Sequence, residues 1–435
     1  MDMLSRLEAL DSKIRVAVVG AGSTGKGLFY QSHITPGFTC VALADIKLDK
    51  AVACAEFIGC DYRVVSDLDA LNDAIRGGFV AICEDGDLLC RCESADVLLE
   101  STSSVLAGGQ FALAALQHGK HVVMMNAEAD LMFGPYLMEV AGSNGLVYTS
   151  CDGDQHGVIR RLVDDIRLWG FELVMAGNIK GYLDRYANPT SIIPEADKRD
   201  LDYKMCTSYT DGTKVCVEMA LVANALGLDT AVPGMYGPRA DDVLDALQLF
   251  DLEEIWKDRR PVVDYVLGAT PKGGIFAIGY SESEYQKFML GSFPSVLGDG
   301  PFYVFARPYH LCHVEAMGAI AEAVLDGEAL LQPRHGFRTN IYAYAKKDLR
   351  KGEMLDGIGG YACYGLIENC SDNQETPGLP ICLADDVKLV RDVPKDEKIA
   401  MADISYDASA PQFRLFEEAL RASAALEPAN SEVVG

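Results

Sequence analysis

The stretch Val16-Ala17-Val18-Val19-Gly20-Ala21-Gly22-Ser23-Thr24-Gly25 decides the fold. Its short apolar run reads as a buried strand, and Gly20, Gly22 and Gly25 place G-x-G-x-x-G at the turn into a helix. Gly20 allows the tight turn. Gly22 has no side chain, so a pyrophosphate can approach the backbone, and Gly25 lets the helix pack close to the strand. Ser23 and Thr24 fall where a helix N-terminus offers free N–H groups and a positive dipole end to phosphate. A second apolar run, Cys40–Ala44, ends in Asp45, twenty residues beyond Gly25. A carboxylate there accepts ribose hydroxyls and repels a 2′-phosphate, so NAD(H) is expected over NADP(H).

Outward from this motif, strand and helix signals alternate. Apolar runs at Phe79–Cys83, Val97–Leu99, Val122–Met125 and Leu146–Tyr148 are separated by helical patterns such as Ala107–His118 and Gly134–Ala141. The expected class is α/β, a Rossmann-type doubly wound parallel sheet over residues 1–151. Glu100-Ser101-Thr102 marks a strand end at the crevice where nicotinamide would lie. Ser101, Thr102 and Asn126 therefore join the glycine loop as candidate cofactor contacts.

Composition narrows the class. The 435 residues are 49% hydrophobic and 23% charged, with a net charge of −26. A field of that sign disfavours nucleic acid and anionic membranes. No apolar run approaches the length of a membrane span. Met1 to Lys13 reads without a signal-peptide core, Leu4, Leu7 and Leu10 suggesting a short amphipathic helix. The thirteen cysteines are scattered and lack a paired metal-binding spacing. A cytoplasmic protein with reduced thiols is the expectation.

Residues 152–338 read as an α+β substrate and oligomerisation domain. The signals are a helix at His156–Trp169, a strand at Phe171–Asn178 and a polar loop at Lys180–Pro194. A hairpin is expected around Asp211-Gly212, between Met205–Tyr209 and Thr213–Val217, followed by an apolar helix, Val217–Leu226. Residues 339–435 read as a compact β-rich domain ending in a helix and a loose tail.

Hydride transfer needs a proton donor near the developing alkoxide and groups that fix the substrate. Lys180 ends a predicted strand and suits the acid, although a solvated loop lysine would look the same. Asp152 and Asp154, two apart, share one side of an extended segment. With Glu218 they could hold Mg or Mn, while the plainer alternative is one helix cap and one solvated carboxylate. Glu218 sits inside an apolar helix, where an unpartnered carboxylate is costly, so it either faces a site or pairs with a cation. The candidate catalytic set is Lys180, Asp154 and Glu218. Lys204, Asn224, Arg239, Arg307 and His310 are candidate substrate contacts. Arg239 follows the rigid Gly237-Pro238 turn and suits an anionic group or a structural salt bridge.

The glycine motif together with His121–Asp130 resembles the homoserine-dehydrogenase-like oxidoreductases. Gly134–Leu137, Val217–Ala220, Ala223-Asn224, Gly234–Ala240 and Arg307–Leu311 are similar to one branch, the 1-deoxy-D-xylulose 5-phosphate reductoisomerase-like enzymes with a C-terminal SAF domain. Ala345–Glu353 looks like the opening of that SAF module. Two positions depart from the pattern. Ala127 stands where homoserine dehydrogenases carry lysine, and Asp45 stands where an NADPH-using relative has basic residues. The expectation is an NAD(P)-dependent oxidoreductase acting on a small hydroxylated carbonyl compound, phosphorylated or not, as a homo-oligomer, dimer or tetramer. A metal-dependent reductoisomerase and a dinucleotide-binding scaffold are the alternatives.

Overall fold

The computed structural model describes residues 2–199, 201–373 and 375–426, which form two compact units. The first comprises Met1–Asp154, Leu311–Gln332 and Leu415–Ala425; the second comprises the remainder.

In the first unit the chain runs α1 (Met3–Glu8), β1 (Ile14–Val19), α2 (Ser23–Ile34), β2 (Phe38–Ala44), α3 (Leu48–Ile58), β3 (Tyr62–Val64) and α4 (Leu68–Arg76). It continues through β4 (Val80–Cys83), α5 (Gly86–Arg91), β5 (Val97–Glu100), α6 (Val105–Gln117), β6 (His121–Met124), α7 (Ala127–Ser143) and β7 (Tyr148–Ser150). The strands make one seven-stranded sheet in the order β3-β4-β2-β1-β5-β6-β7, paired in parallel. This is the expected Rossmann-type α/β sheet. Its central strands are buried on both faces, which is why they read as continuous apolar runs rather than alternating ones. Val16, Val18, Leu28, Phe29, Leu43, Ile82 and Leu99 share its core. Ala316, Met317 and Ile320, on a helix from the returning Leu311–Gln332 segment, complete that core.

The second unit begins with α8 (Gln155–Leu168), β8 (Glu172–Lys180), α9 (Ile193–Arg199), α10 (Tyr203–Asp211) and α11 (Thr213–Leu226). Then come β9 (Asp229–Thr230), β10 (Val262–Leu267), β11 (Ile275–Tyr280) and β12 (Phe302–Arg307), which join β8 in a five-stranded mixed sheet ordered β12-β11-β8-β10-β9. The C-terminal part adds β13 (Thr339–Ala345), β14 (Met354–Asp356), β15 (Cys363–Asn369), β16 (Asp385–Leu389) and β17 (Ile404–Ser405), paired as β13-β15 and β14-β16-β17. Helix α11 packs against β8 and β10 on one side and against β13 and β15 on another, and every residue from Thr213 to Ala225 is buried.

Asp211-Gly212 does not make a hairpin. It joins two helices, α10 and α11. Gly212 takes a left-handed φ of 88°, the conformation that ends a helix as readily as it turns a hairpin. Asp202 caps α10 through the Met205 N–H. Because α11 is buried all round it carries no polar stripe, and its β-branched start imitates a strand. The terminal helix spans Pro411–Leu426; the tail expected beyond it lies outside the described residues. Among those residues, no helix is long and apolar enough to cross a membrane.

Candidate active site

The glycine loop has the shape its sequence implies. Gly20 adopts φ +99°, and a Cβ there would lie 2.7 Å from the Ser101 carbonyl oxygen. At Gly25 a Cβ would run into the Gly20 carbonyl. Gly22 faces open space, with nothing within 4 Å of a Cβ. It is also the N-cap of α2 and offers no side chain to the first helical N–H groups of Ser23 and Thr24. The loop is thus closed behind and open in front, which suits a pyrophosphate. Asp45 is held at the end of β2. Its Oδ2 accepts the Ala21 N–H at 2.7 Å and its Oδ1 accepts the Lys47 N–H at 2.8 Å. Each oxygen keeps a lone pair for a ribose hydroxyl.

The other side of the crevice is tied to this loop. Ser101 Oγ lies 2.9 Å from the Val19 oxygen and 3.0 Å from the Gly20 oxygen. Asn126 caps α7: its Oδ1 accepts the Ala129 N–H at 3.1 Å, and its Nδ2 donates to the Ser104 carbonyl at 3.0 Å and reaches Thr102 Oγ1 at 3.5 Å. Ala127 is the buried first residue of α7. Beneath them Glu100 is fully buried, and its Oε1 accepts the Thr102 N–H at 2.9 Å. Burial pushes its carboxyl up to about 7. Sequence reasoning used Glu100 only as a strand-end marker.

In the second unit, Lys180 and Glu218 meet. Lys180 ends β8, half-buried, and its Nζ lies 3.0 Å from Glu218 Oε2 on α11. Asn178, on the same face two residues earlier, donates its Nδ2 to the same oxygen at 2.8 Å. Glu218 is 2% exposed and Asn178 0%. A buried carboxylate needs such donors, and here it takes both a cation and an amide. Sequence reasoning missed Asn178, because an isolated Asn in a strand gives no signal until its facing helix is known.

Strand register extends the site. Lys180 pairs with Leu267 on β10, and Leu267 bridges to Arg239, so the three occupy one row of the sheet. Arg239 is exposed and makes no ion pair among the described residues. Its turn is fixed by Asp264, whose carboxylate accepts the N–H groups of Tyr236, Gly237 and Tyr265. Burial nonetheless pushes Asp264 up to about 6. Asn178 pairs with Tyr265, which lines a cavity of about 300 Å³. Leu183, Val215 and Leu366 give that cavity apolar walls, and Arg185 and Asp211 bring opposite charges to its lining beside Tyr265. The Arg185 guanidinium stands 5.2 Å from the Tyr364 ring centroid and has no carboxylate partner among the described residues. Neither Arg185 nor Tyr265 stood out in the sequence, since only strand pairing and chain return bring them here.

Other expected contacts have different work. Asn224 is buried and clamps Thr339: its Oδ1 accepts the Thr339 N–H at 2.9 Å and its Nδ2 donates to the Thr339 carbonyl at 3.1 Å. With both amide ends engaged, it is a structural residue rather than a substrate contact. Lys204 likewise donates to the Asp356 carbonyl at 2.7 Å, tying α10 to the C-terminal strands. Arg307 stacks on Tyr309, 4.6 Å from its centroid, and His310 follows in irregular chain. Asp152-Gly153-Asp154 is a turn, not the extended segment expected. Gly153 takes φ +86°, so the shared-side argument for the two carboxylates fails, and Asp152 Oδ1 accepts the Gly153 N–H. Both aspartates belong to the first unit, Glu218 to the second.

Residues 153–316 match the family described as oxidoreductase DRL, catalytic domain, over less than half of the chain. No curated protein matches. Partial likeness extends to several solved structures. A probable dehydrogenase from Thermotoga maritima is 12% identical, covers 73% of this chain and 90% of its own, and has a TM-score of 0.41. DOX-P reductoisomerase in complex with magnesium is 16% identical over 73% of this chain and 70% of its own, at 0.40. The myo-inositol dehydrogenase from Lactobacillus casei in complex with NAD(H) and myo-inositol is 17% identical over 43% and 53%, at 0.30. Residues 153–316 are thus similar to an oxidoreductase catalytic domain. The loop from Gly20 to Gly25 has the open front and closed back that a pyrophosphate needs.

Proposed function

We propose that this oxidoreductase uses NAD(H) in preference to NADP(H) and transfers hydride to or from a small hydroxylated carbonyl compound, with Lys180 as the acid or base. The observation that carries this is the meeting of half-buried Lys180 and buried Asn178, at the C-terminal end of β8, with buried Glu218 of α11. NADH supplies the hydride when bound. As negative charge develops on the substrate oxygen, the Lys180 ammonium stabilises it and delivers a proton. Glu218 aims that ammonium, and Asn178 keeps Glu218 from rotating away. In the oxidising direction Lys180 takes the proton back. The cavity edged by Tyr265 and Arg185 gives the rest of the substrate a place, and Arg239, in the Lys180 row, gives it a second cation. Asp45, with two backbone amides fixing its carboxylate, supports NAD(H): a 2′-phosphate would meet a negative charge that cannot swing aside.

The deciding experiment compares Lys180→Ala with the parent enzyme, using a panel of hydroxy acids, aldehydes and sugar phosphates. The variant should bind NADH normally and lose turnover. Full turnover would remove Lys180 from the mechanism. A reductoisomerase relying on Mg or Mn through Asp152, Asp154 and Glu218 is the competing chemistry; it requires that a chelator abolish activity and that the metal restore it. A scaffold gains ground if no substrate in the panel changes NADH absorbance. Likeness of residues 339–435 to an SAF module, kinship with homoserine dehydrogenases, homo-oligomerisation and a cytoplasmic location belong to the same proposal. Light scattering on the full chain tests the oligomer.

A further inference from the structure

Glu100 is a buried carboxyl at the strand end beside the glycine loop that the mechanism above leaves unused. It is the last residue of β5 and the register partner of Val19, which leads into Gly20. The next residue, Ser101, donates its N–H to the Val19 carbonyl at 2.9 Å, so Glu100 sits at the joint between the glycine loop and the nicotinamide side. The side chain is 0% exposed. Oε1 takes the Thr102 N–H, whereas Oε2 lies beside the Asn126 amide without a well-aligned hydrogen bond among the described residues. Gly108 of α6 leaves the room for this arrangement: a Cβ there would lie 2.9 Å from Glu100 Oε2 and 2.7 Å from Asn126 Nδ2.

The groups that face Glu100 offer no cation. Glu128 on α7 repels it, and Tyr148 on β7 and Cys90 on α5 feel its charge. Thr102 and Asn126 are neutral donors. Glu100 forms no ion pair among the described residues. A buried carboxyl with one oxygen poorly matched is stable when protonated, or when a positive charge arrives beside it.

We propose that Glu100 is the proton-exchanging counter-charge of the nicotinamide ring, holding a proton beside the neutral reduced ring and releasing it when the positively charged oxidised ring enters the crevice. NAD+ and NADH share adenosine, ribose and pyrophosphate and differ by one unit of charge on the ring. The difference between their binding reactions therefore isolates this effect. Its sign follows from linkage: a ligand that favours the ionised carboxyl expels a proton. With burial raising the carboxyl to about 7, the gap between the two dinucleotides at pH 7 is a fraction of a proton per chain. The inference rests on the dinucleotide reading of the glycine loop, and does not depend on Lys180.

The test is calorimetric titration of the full chain with NAD+ and with NADH at pH 7, in two buffers of different ionisation enthalpy, which reports protons exchanged per bound ligand. NAD+ should release more protons than NADH. Glu100→Gln should bind both and abolish the gap. Equal release from both dinucleotides by the parent protein, or a gap that survives in Glu100→Gln, overturns the proposal. Should Glu100→Gln fail to fold, the parent comparison still decides, and Glu100→Asp provides the carboxyl control. If neither dinucleotide binds, the loop reading and this proposal fall together. If both bind with equal proton release, this proposal alone falls.

Discussion

Lys180 Nζ and Glu218 Oε2 are 3.0 Å apart, one at the end of a strand and the other deep in a helix buried on every side. The pair explains how an apolar helix carries a carboxylate, and why the lysine at the strand end is not simply solvated. Removing the ammonium takes one buried donor from Glu218, while the Asn178 amide stays in place. Lys180→Met should therefore lower turnover by about 100- to 10,000-fold, the range for a lost general acid, with NADH affinity unchanged. It should also cost about 1–3 kcal/mol of stability, as a buried acceptor loses a donor. Chemical denaturation alongside single-turnover kinetics separates the two effects. Glu218→Gln added to Lys180→Met should recover part of the stability and none of the turnover.

Gly22 and Gly25 predict opposite phenotypes from the same substitution. Gly25→Ala drives a methyl into the Gly20 carbonyl and should destabilise the first unit by about 1–3 kcal/mol. Gly22→Ala meets open space. Its melting temperature should be unchanged while dinucleotide affinity falls about tenfold or more, because the methyl occupies the phosphate approach. Thermal denaturation with and without NADH distinguishes them.

Asp45 should set cofactor choice. The parent protein should bind NADH at least about tenfold more tightly than NADPH, a difference of about 1.4 kcal/mol. Asp45→Ser removes the charge and should narrow that gap. Fluorescence titration with both reduced dinucleotides measures it, and equal affinities in the parent protein would remove Asp45 from the selection of cofactor.

The first unit was legible because its signals are local. Val16–Val19, the glycines and Asp45 lie within one strand-helix-strand repeat, and each glycine answers a constraint a few residues away. The second unit hides its logic. Thr213–Val217 reads as a strand because α11 is covered on all sides and has no exposed face to give a helical period. Lys180 was visible as a strand-end cation, and Glu218 as a carboxylate out of place. Their partnership with Asn178 and the row shared with Arg239 depend on pairing between distant strands. The partners of Asn224 and Lys204 were hidden for the same reason: Thr339 and Asp356 lie more than a hundred residues away.

Glu100 should shape stability as well as cofactor binding. Its folded carboxyl is raised from 4.5 to about 7 by burial. The folded state therefore favours the protonated form, and its contribution is intact below about 4.5 and lost as pH rises through 7. Glu100→Gln removes this dependence. Its stability relative to the parent should rise by about 3 kcal/mol between those limits. Denaturant titrations at several pH values follow the difference, and a pH-independent gap would contradict it.

The sandwiching of α11 between β8 and β10 on one side and β13 and β15 on the other has a consequence for engineering. The last hundred residues cannot be trimmed away to leave a minimal enzyme. Ending the chain before Thr339 would strip one wall from the helix that bears Glu218 and cut the Asn224 clamp in the same stroke. Sequence drift in those C-terminal strands is thus felt at Lys180 through Glu218, and any chimera that swaps them must carry α11 with it as a single cassette.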